Sequence, residues 1–243
     1  MNEFEIIDNL KKIITNSSSL KLNDDVFFDK KKSLVASIDT YNENIHFIDI
    51  DRPDLIIKKI IRSSISDVIS KGVDPKFLLI SMSVSKKKIN KEKLRLILHS
   101  IKQEQKKYKF SLVGGDTTSS NKLSFTVCVF GYNESIIRRN ACIKNDDIYI
   151  TGNIGDSSIG LSFLKKKISS SNKIKKYFID RYFKPDLPFG FHRELFNFAN
   201  SSMDISDGLL TDLKKIVKEK KLNFIIDYHL LPKSNKFKKL KKQ

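Results

Sequence analysis

A chain of 243 residues with 40% hydrophobic content can bury one large core or two modest ones, which excludes a disordered polypeptide. The formal net charge of +18 invites a nucleic-acid reading. Only seven of the 46 basic residues are arginines, however, and the lysines are spread in runs such as 30–32, 86–88 and 165–167, so the charge reads as solvated surface with some attraction for small anions.

Two cysteines, Cys128 and Cys142, have neither metal-site nor disulfide spacing, the N-terminus is acidic, and no apolar run is long enough to span a bilayer. We therefore expect a soluble cytoplasmic protein with neither a membrane nor a nucleic acid as partner.

Along the chain, residues 4–15 place Phe4, Ile6, Ile7, Leu10, Ile13 and Ile14 at helical spacing. A polar turn with Asn23-Asp24-Asp25 follows, then a short strand over 33–38 ending at Asp39. A long helix is expected from Asp51, with Pro53 in its first turn, through Ile56, Ile57, Ile60, Ile61, Ile65 and Val68 to a stop at Gly72. Residues 77–84 read as a strand and 91–108 as an amphipathic helix. A short strand over 110–113 leads straight into Gly114-Gly115-Asp116-Thr117-Thr118.

Residues 122–130 alternate, with Leu123, Phe125, Val127 and Val129 on one face and Lys122, Ser124, Thr126 and Cys128 on the other, the pattern of a half-buried strand. Residues 147–151 predict another strand, then a glycine-bearing turn and a helix capped by Asp156, Ser157 or Ser158. Helices are expected over 170–182 and 189–199, and a further one after Asp204-Ile205-Ser206-Asp207-Gly208, with Leu209, Leu210, Leu213, Ile216 and Val217 on one face. Residues 223–228 read as a last strand and 233–243 as a polar, frayed tail. The class is α/β or α+β. A composition shift near 131–147 suggests two domains, 1–140 and 141–243.

Aspartates at element ends carry the chemistry. They stand in Asn23-Asp24-Asp25, Ser37-Ile38-Asp39-Thr40, Gly114-Gly115-Asp116-Thr117-Thr118 and Asp204-Ile205-Ser206-Asp207-Gly208. Asp67 lies instead inside the long apolar helix, with Ser63 and Ser64 at i−4 and i−3, where an unpaired carboxylate is costly. Oxygen donors of this kind suit Mg²⁺, and no Cys/His cluster offers a softer site.

Each aspartate also has a plain structural reading. Asp25 can be a turn residue, Asp39 a strand end bonding its own backbone, Asp67 a solvated helix residue and Asp207 a first-turn residue favoured by the helix dipole. Gly114-Gly115-Asp116 can let a phosphate approach backbone N–H groups while the aspartate holds its metal, or can be a tight turn. Thr151-Gly152-Asn153-Ile154-Gly155-Asp156 is phosphate-loop-like at a helix start, or a simple connection. Neither a Walker lysine motif nor a Rossmann fingerprint occurs.

Taken in order, these motifs resemble the thiamine-monophosphate kinase family, in the superfamily that also holds aminoimidazole ribonucleotide (AIR) synthetase and selenophosphate synthetase. The resemblance runs through Asp24-Asp25, Ser37-Ile38-Asp39-Thr40 with His46-Phe47, Ser66-Asp67-Val68 with Gly72-Val73-Asp74-Pro75, Gly114 to Thr118, Arg139 before Ile148-Tyr149-Ile150-Thr151-Gly152, and Asp204 to Leu209. It covers almost the whole chain.

It implies an AIR-synthetase-like two-domain fold whose first domain pairs its strands across a homodimer and whose second domain is incomplete. It also implies ATP- and Mg²⁺-dependent phosphorylation of thiamine monophosphate to thiamine diphosphate. By that resemblance Asp25, Asp39, Asp67, Asp116, Asp204 and Asp207 hold Mg²⁺. Ser37 and Ile38 touch it, Ile38 only through its carbonyl, where the family often has Thr. Gly115, Asp116, Arg139 and Ser206 contact ATP, and His46 contacts thiamine monophosphate. On its own, His46 reads as a surface or packing residue.

No general base is expected, because the acceptor is a phosphate oxygen already ionised at neutral pH and phosphoryl transfer is mostly positioning and charge stabilisation. Two departures stand out. The chain reaches Gln243 before the family's Gly-Gly-Glu-Asp-Tyr-Glu-Leu motif and substrate-packing aromatic, and the usual Pro-Gly-Asp reads Lys144-Asn145-Asp146. The metal and nucleotide half of the site is therefore expected here, and the substrate half in part. The rival readings are another ATP-dependent member of the superfamily, a catalytically dead fragment and a basic nucleic-acid binder.

Overall fold

The computed structural model describes residues 3–48, 51–85 and 88–240. Isoleucine sets its centre. Helix α2, Pro53–Ser70, buries Leu55, Ile56, Ile57, Ile60, Ile61, Ile65, Val68 and Ile69, so it is covered on nearly every side. Proline stands in its first turn, where the missing N–H costs nothing. Gly72 ends it at a φ of +82°, a conformation that disfavours any Cβ, and an added Cβ would meet the Phe196 ring at 2.5 Å.

The sheet against which α2 packs is built from β1 Phe27–Asp29, β2 Leu34–Asn42, β3 Pro75–Val84, β4 Ser111–Ser119 and β5 Ser124–Tyr132. Its order is β1-β2-β5-β3-β4, with only β3 and β4 parallel. The alternation in β5 falls as expected: Phe125, Val127 and Val129 face α2 together with Val35, Leu78 and Ile80. Helix α3, Lys91–Tyr108, lies beside α2 and is joined to it by a buried fork. Arg62 donates Nε to Glu104 Oε2 at 2.8 Å and Nη2 to Oε1 at 3.0 Å. Its Nη1 reaches the Pro185 carbonyl at 3.2 Å, tying a distant segment to the same pair. The opposite sheet face exposes Ile38, Phe77, Leu79 and Tyr132, and Phe77, Leu79, Val113, Phe130 and Tyr132 line a shallow hollow there.

Helix α1 covers Glu3–Lys11. Beyond residue 133 the described residues form helices and loops: α4 Asp156–Leu164, α5 Asn172–Phe183, α6 Leu209–Lys218 and α7 Asn235–Leu240. Phe183, Leu187 and Phe189 pack on the core under the sheet. No described helix is long and apolar enough to cross a membrane.

Several expectations are corrected. The glycine pair does not form a turn; Gly114, Gly115 and Asp116 lie inside β4. There Gly115 has a φ of +154°, and a Cβ would stand 1.9 Å from the Ile80 carbonyl oxygen, so close approach of two backbones is what requires glycine. Residues 147–151 and 223–228 form no strand. Strand geometry needs a hydrogen-bonded neighbour, and these segments have none in the sheet; they face each other across a cleft of about 830 Å³ floored by Leu213 and Val217. Residues 191–197 are 3₁₀ rather than α-helical, α4 is capped by Gly155, and the tail forms α7 as far as Leu240. Residues 241–243 lie outside the described residues.

Breaking a buried pair strands a charge. Glu104→Gln is expected to lower unfolding free energy in urea by about 3–5 kcal/mol. Asp186→Asn, which removes the exposed partner of Arg181, is expected to change it by less than about 1 kcal/mol.

Candidate functional site

The C-terminal half of α2 carries charge into the core on a lysine and an aspartate, Lys71 being its C-cap residue. The Lys71 side chain is fully buried. Its ammonium donates to Asp24 Oδ1 at 2.8 Å, to Asp25 Oδ2 at 2.6 Å and to the Ser202 carbonyl at 2.9 Å. The other oxygens of the acid pair are also taken: Arg138 Nε and the Arg139 N–H reach Asp24 Oδ2 at 2.8 and 3.1 Å, and Arg139 Nη1 reaches Asp25 Oδ1 at 2.8 Å. Burial alone raises the Asp24 carboxyl, but the Lys71 charge and these hydrogen bonds overcome it and hold the group below the usual carboxylate value.

A second set of carboxylates lacks such partners. Asp39 sits on the helix-facing side of β2, paired across the sheet with Val127. Ser37, buried on the same side, bonds the Ser64 carbonyl at 3.4 Å, and Ser64 Oγ donates to the Tyr41 hydroxyl, which donates to Asp39 Oδ2 at 3.1 Å. Asp67 faces this group from α2, and Asp204 joins from the loop before α6, accepting from Ser66 Oγ at 2.5 Å.

Burial, then the charges of Asp204, Asp39 and Asp25, push Asp67 well above its ordinary range. Burial, and then the charge of Asp25, push Asp204 up to about 6, against the Ser66 hydrogen bond. Burial raises Asp39 as well, the Asp25 charge adding to it against the hydrogen bond from Tyr41 and the nearby Ser64 hydroxyl. Asp39, Asp67 and Asp204 thus form an all-oxygen group short of positive charge, which is the donor chemistry of a hard cation. Among the described residues no three acidic, imidazole or thiol groups are gathered closely enough to hold a metal ion, so ligation requires these side chains to draw in.

The remaining expected residues are spread around this group. Asp207 is exposed and paired with Lys215 at 2.6 Å, and Ser206 is exposed beside it. Arg139 is turned onto the acid pair, its Nε also reaching the Asn23 carbonyl. Ile38 points to the open face of the sheet, 69% exposed, so only its main chain is available to the group on the other side. Asp116 pairs with Ser81, Ser81 with Thr126 and Thr126 with Thr40. Asp116 therefore also lies on the open face, three strands and roughly 14 Å from β2. Within one chain it does not meet Asp39 or Asp67.

His46 is exposed, and its Nδ1 accepts from the Asn42 N–H at 2.9 Å, which leaves Nε2 to carry the proton outward. Its carbonyl accepts both Lys59 Nζ at 3.0 Å and the Tyr182 hydroxyl at 3.1 Å, so α2 and α5 together fix the turn that presents it. Burial pushes the Lys59 amine down to about 8.

Sequence reading missed Lys71 and Asp212. A lysine at the end of a helix in a lysine-rich chain reads as a dipole partner in solvent. Asp212 is buried, and its Oδ2 accepts the consecutive N–H groups of Ser206, Asp207 and Gly208 at 3.0, 3.1 and 3.0 Å, so it shapes the loop carrying Asp204 and Asp207. Its place four residues after Gly208 was the available signal.

Residues 22–132 match the family model described as AIR synthase related protein, N-terminal domain. The chain is 36% identical to the thiamine-monophosphate kinase of Buchnera aphidicola subsp. Schizaphis graminum over 95% of its own length and 73% of the relative's. It is 30% identical to that of Aquifex aeolicus, covering 98% of this chain and 77% of the relative. The solved structure described as AaThiL complexed with AMPPCP and TMP superposes with a TM-score of 0.91 at 28% identity, over 99% of this chain and 77% of that one, which identifies the fold as AIR-synthetase-like.

The raised carboxylates set a sign for stability. A carboxyl with a higher value in the folded state stabilises the fold fully below its ordinary 3.8 and loses that contribution as pH rises through the folded value, about 6 for Asp204. Without divalent metal the melting temperature is expected to fall between about pH 4 and 7, and added Mg²⁺ to recover most of it at pH 7. A flat profile insensitive to Mg²⁺ would contradict the site.

Proposed function

Because the chain belongs to the thiamine-monophosphate kinase family, we propose that it transfers the γ-phosphoryl group of ATP to the phosphate of thiamine monophosphate, giving thiamine diphosphate and ADP. The observation that carries this reading is the half-buried, charge-deficient group Asp39, Asp67 and Asp204. The family relationship makes the chain a kinase; the metal, the residues and the dimer are our reading.

Asp39, Asp67 and Asp204 would hold Mg²⁺, with Ser37 and the Ile38 carbonyl beside them and Asp207 joining once it leaves Lys215. Bound Mg²⁺ supplies charge neutralisation for the phosphates and for the transferring group. An ionised oxygen of the acceptor phosphate attacks the γ-phosphorus as the bond to the ADP oxygen breaks, so no side chain has to remove a proton. Arg139 and Ser206 would meet the nucleotide, and His46 would donate from Nε2 to thiamine monophosphate.

The open sheet face is proposed as the homodimer surface. Its apolar residues Phe77, Leu79 and Tyr132 support this, and Gly115 and Asp116, on the edge strand of the same sheet, would make their nucleotide and metal contacts in the assembled dimer. The two units, 1–140 and 141–243, would share the site. The free thiols of Cys128 and Cys142 support a reducing cytoplasm.

Incubation with ATP, Mg²⁺ and thiamine monophosphate is expected to yield thiamine diphosphate by chromatography, and Asp67→Asn to lower kcat by about a hundredfold or more. No product together with no ATP binding would sink the proposal. Tyr182→Phe is expected to raise KM for thiamine monophosphate about three- to tenfold while changing kcat less, because it loosens the turn that presents His46.

A further inference from the structure

The two carboxylate groups differ in one respect: only one of them already has its cations. Asp24 and Asp25 are held by Lys71, Arg138 and Arg139, all four carboxylate oxygens being engaged at 3.1 Å or less. The Lys71 ammonium lies between the two acids at 2.8 and 2.6 Å, in a pocket closed to solvent, with the Ser202 carbonyl as its third acceptor. Two carboxylates and a carbonyl around one buried positive centre make an oxygen cage for a cation, and here the cation is covalently part of the chain.

We infer that Lys71 is a built-in cation which takes one of the ion positions of the acidic centre, so that Asp25 is not a divalent-metal ligand in this chain and the divalent ions bind only on the side of Asp39, Asp67 and Asp204. A side-chain ammonium has three donors, and all three are used by Asp24, Asp25 and Ser202. Expelling it would put a lysine and an arginine head group, Lys71 and Arg139, in competition with an ion that also has to shed water. The inference deepens the proposed function, on whose Mg²⁺ requirement it rests for where the remaining ions go.

The test counts Mn²⁺ bound to the purified full chain without nucleotide, from the loss of the free Mn²⁺ paramagnetic signal. Asp25→Asn is expected to leave the number of bound ions unchanged, their affinity falling only through the loss of the nearby Asp25 charge. Lys71→Met is expected to bind one ion more than wild type, with melting raised more steeply by Mn²⁺, and Lys71→Met/Asp25→Asn to lose that ion again. Loss of an ion in Asp25→Asn overturns the inference. So does an unchanged count in folded Lys71→Met. If Lys71→Met does not fold, the Asp25→Asn arm decides alone. A wild-type chain that binds no Mn²⁺ while Lys71→Met gains one supports the built-in cation and removes the metal reading of Asp39, Asp67 and Asp204. No Mn²⁺ on either overturns both.

Discussion

Charge buried at the end of α2 is the constraint around which the rest is arranged. An isoleucine helix covered on nearly every side cannot carry Asp67 and be followed by Lys71 unless other elements bring compensating groups to the same place. The acidic turn at 23–25, the arginines at 138 and 139, β2 with Asp39, and the loop with Asp204 all converge there from distant parts of the chain. The hydrophobic packing of α2 on the sheet makes these meetings obligatory: Val127, Ile80 and Ile61 share one core, and Asp39 is paired with Val127 across the sheet.

The compensation is uneven, and the unevenness has chemical meaning. Asp24 and Asp25 are neutralised by groups of the protein, and their loop is fixed whatever the solution contains. Asp39 and Asp204 accept from tyrosine and serine hydroxyls, which orient carboxylates without cancelling their charge, and Asp67 feels the charge of both. Folding therefore gathers repulsion at one point, and under the proposed function bound cationic charge would relieve it and would face the phosphates as well.

Much of this was legible from residue order. The periods of α2 and α3 and the alternation of β5 depend on burial that the sequence itself encodes; Asp39 and Asp204 stood out as carboxylates at element ends, and Asp67 as one inside an apolar helix, where a carboxylate is out of keeping. What was not legible depends on neighbours distant in sequence. Gly114-Gly115 reads as a turn because nothing local says that the Ile80 backbone passes 1.9 Å from where a Cβ would be. Residues 147–151 and 223–228 have strand composition, but a strand is a property of a pair, and no edge is offered to them. Lys71 was hidden as one among 46 basic residues, since only burial distinguishes one lysine from the next.

The three consecutive N–H groups of Ser206, Asp207 and Gly208 make a concave backbone receptor of a kind that accepts any small oxyanion. In this chain Asp212 already fills it from the first turn of α6. Sulfate, inorganic phosphate or citrate from the surroundings finds no opening at that bend. The loop's shape is accordingly set by the polypeptide and indifferent to anion composition, and whatever discrimination it shows among phosphate compounds has to come from its side chains.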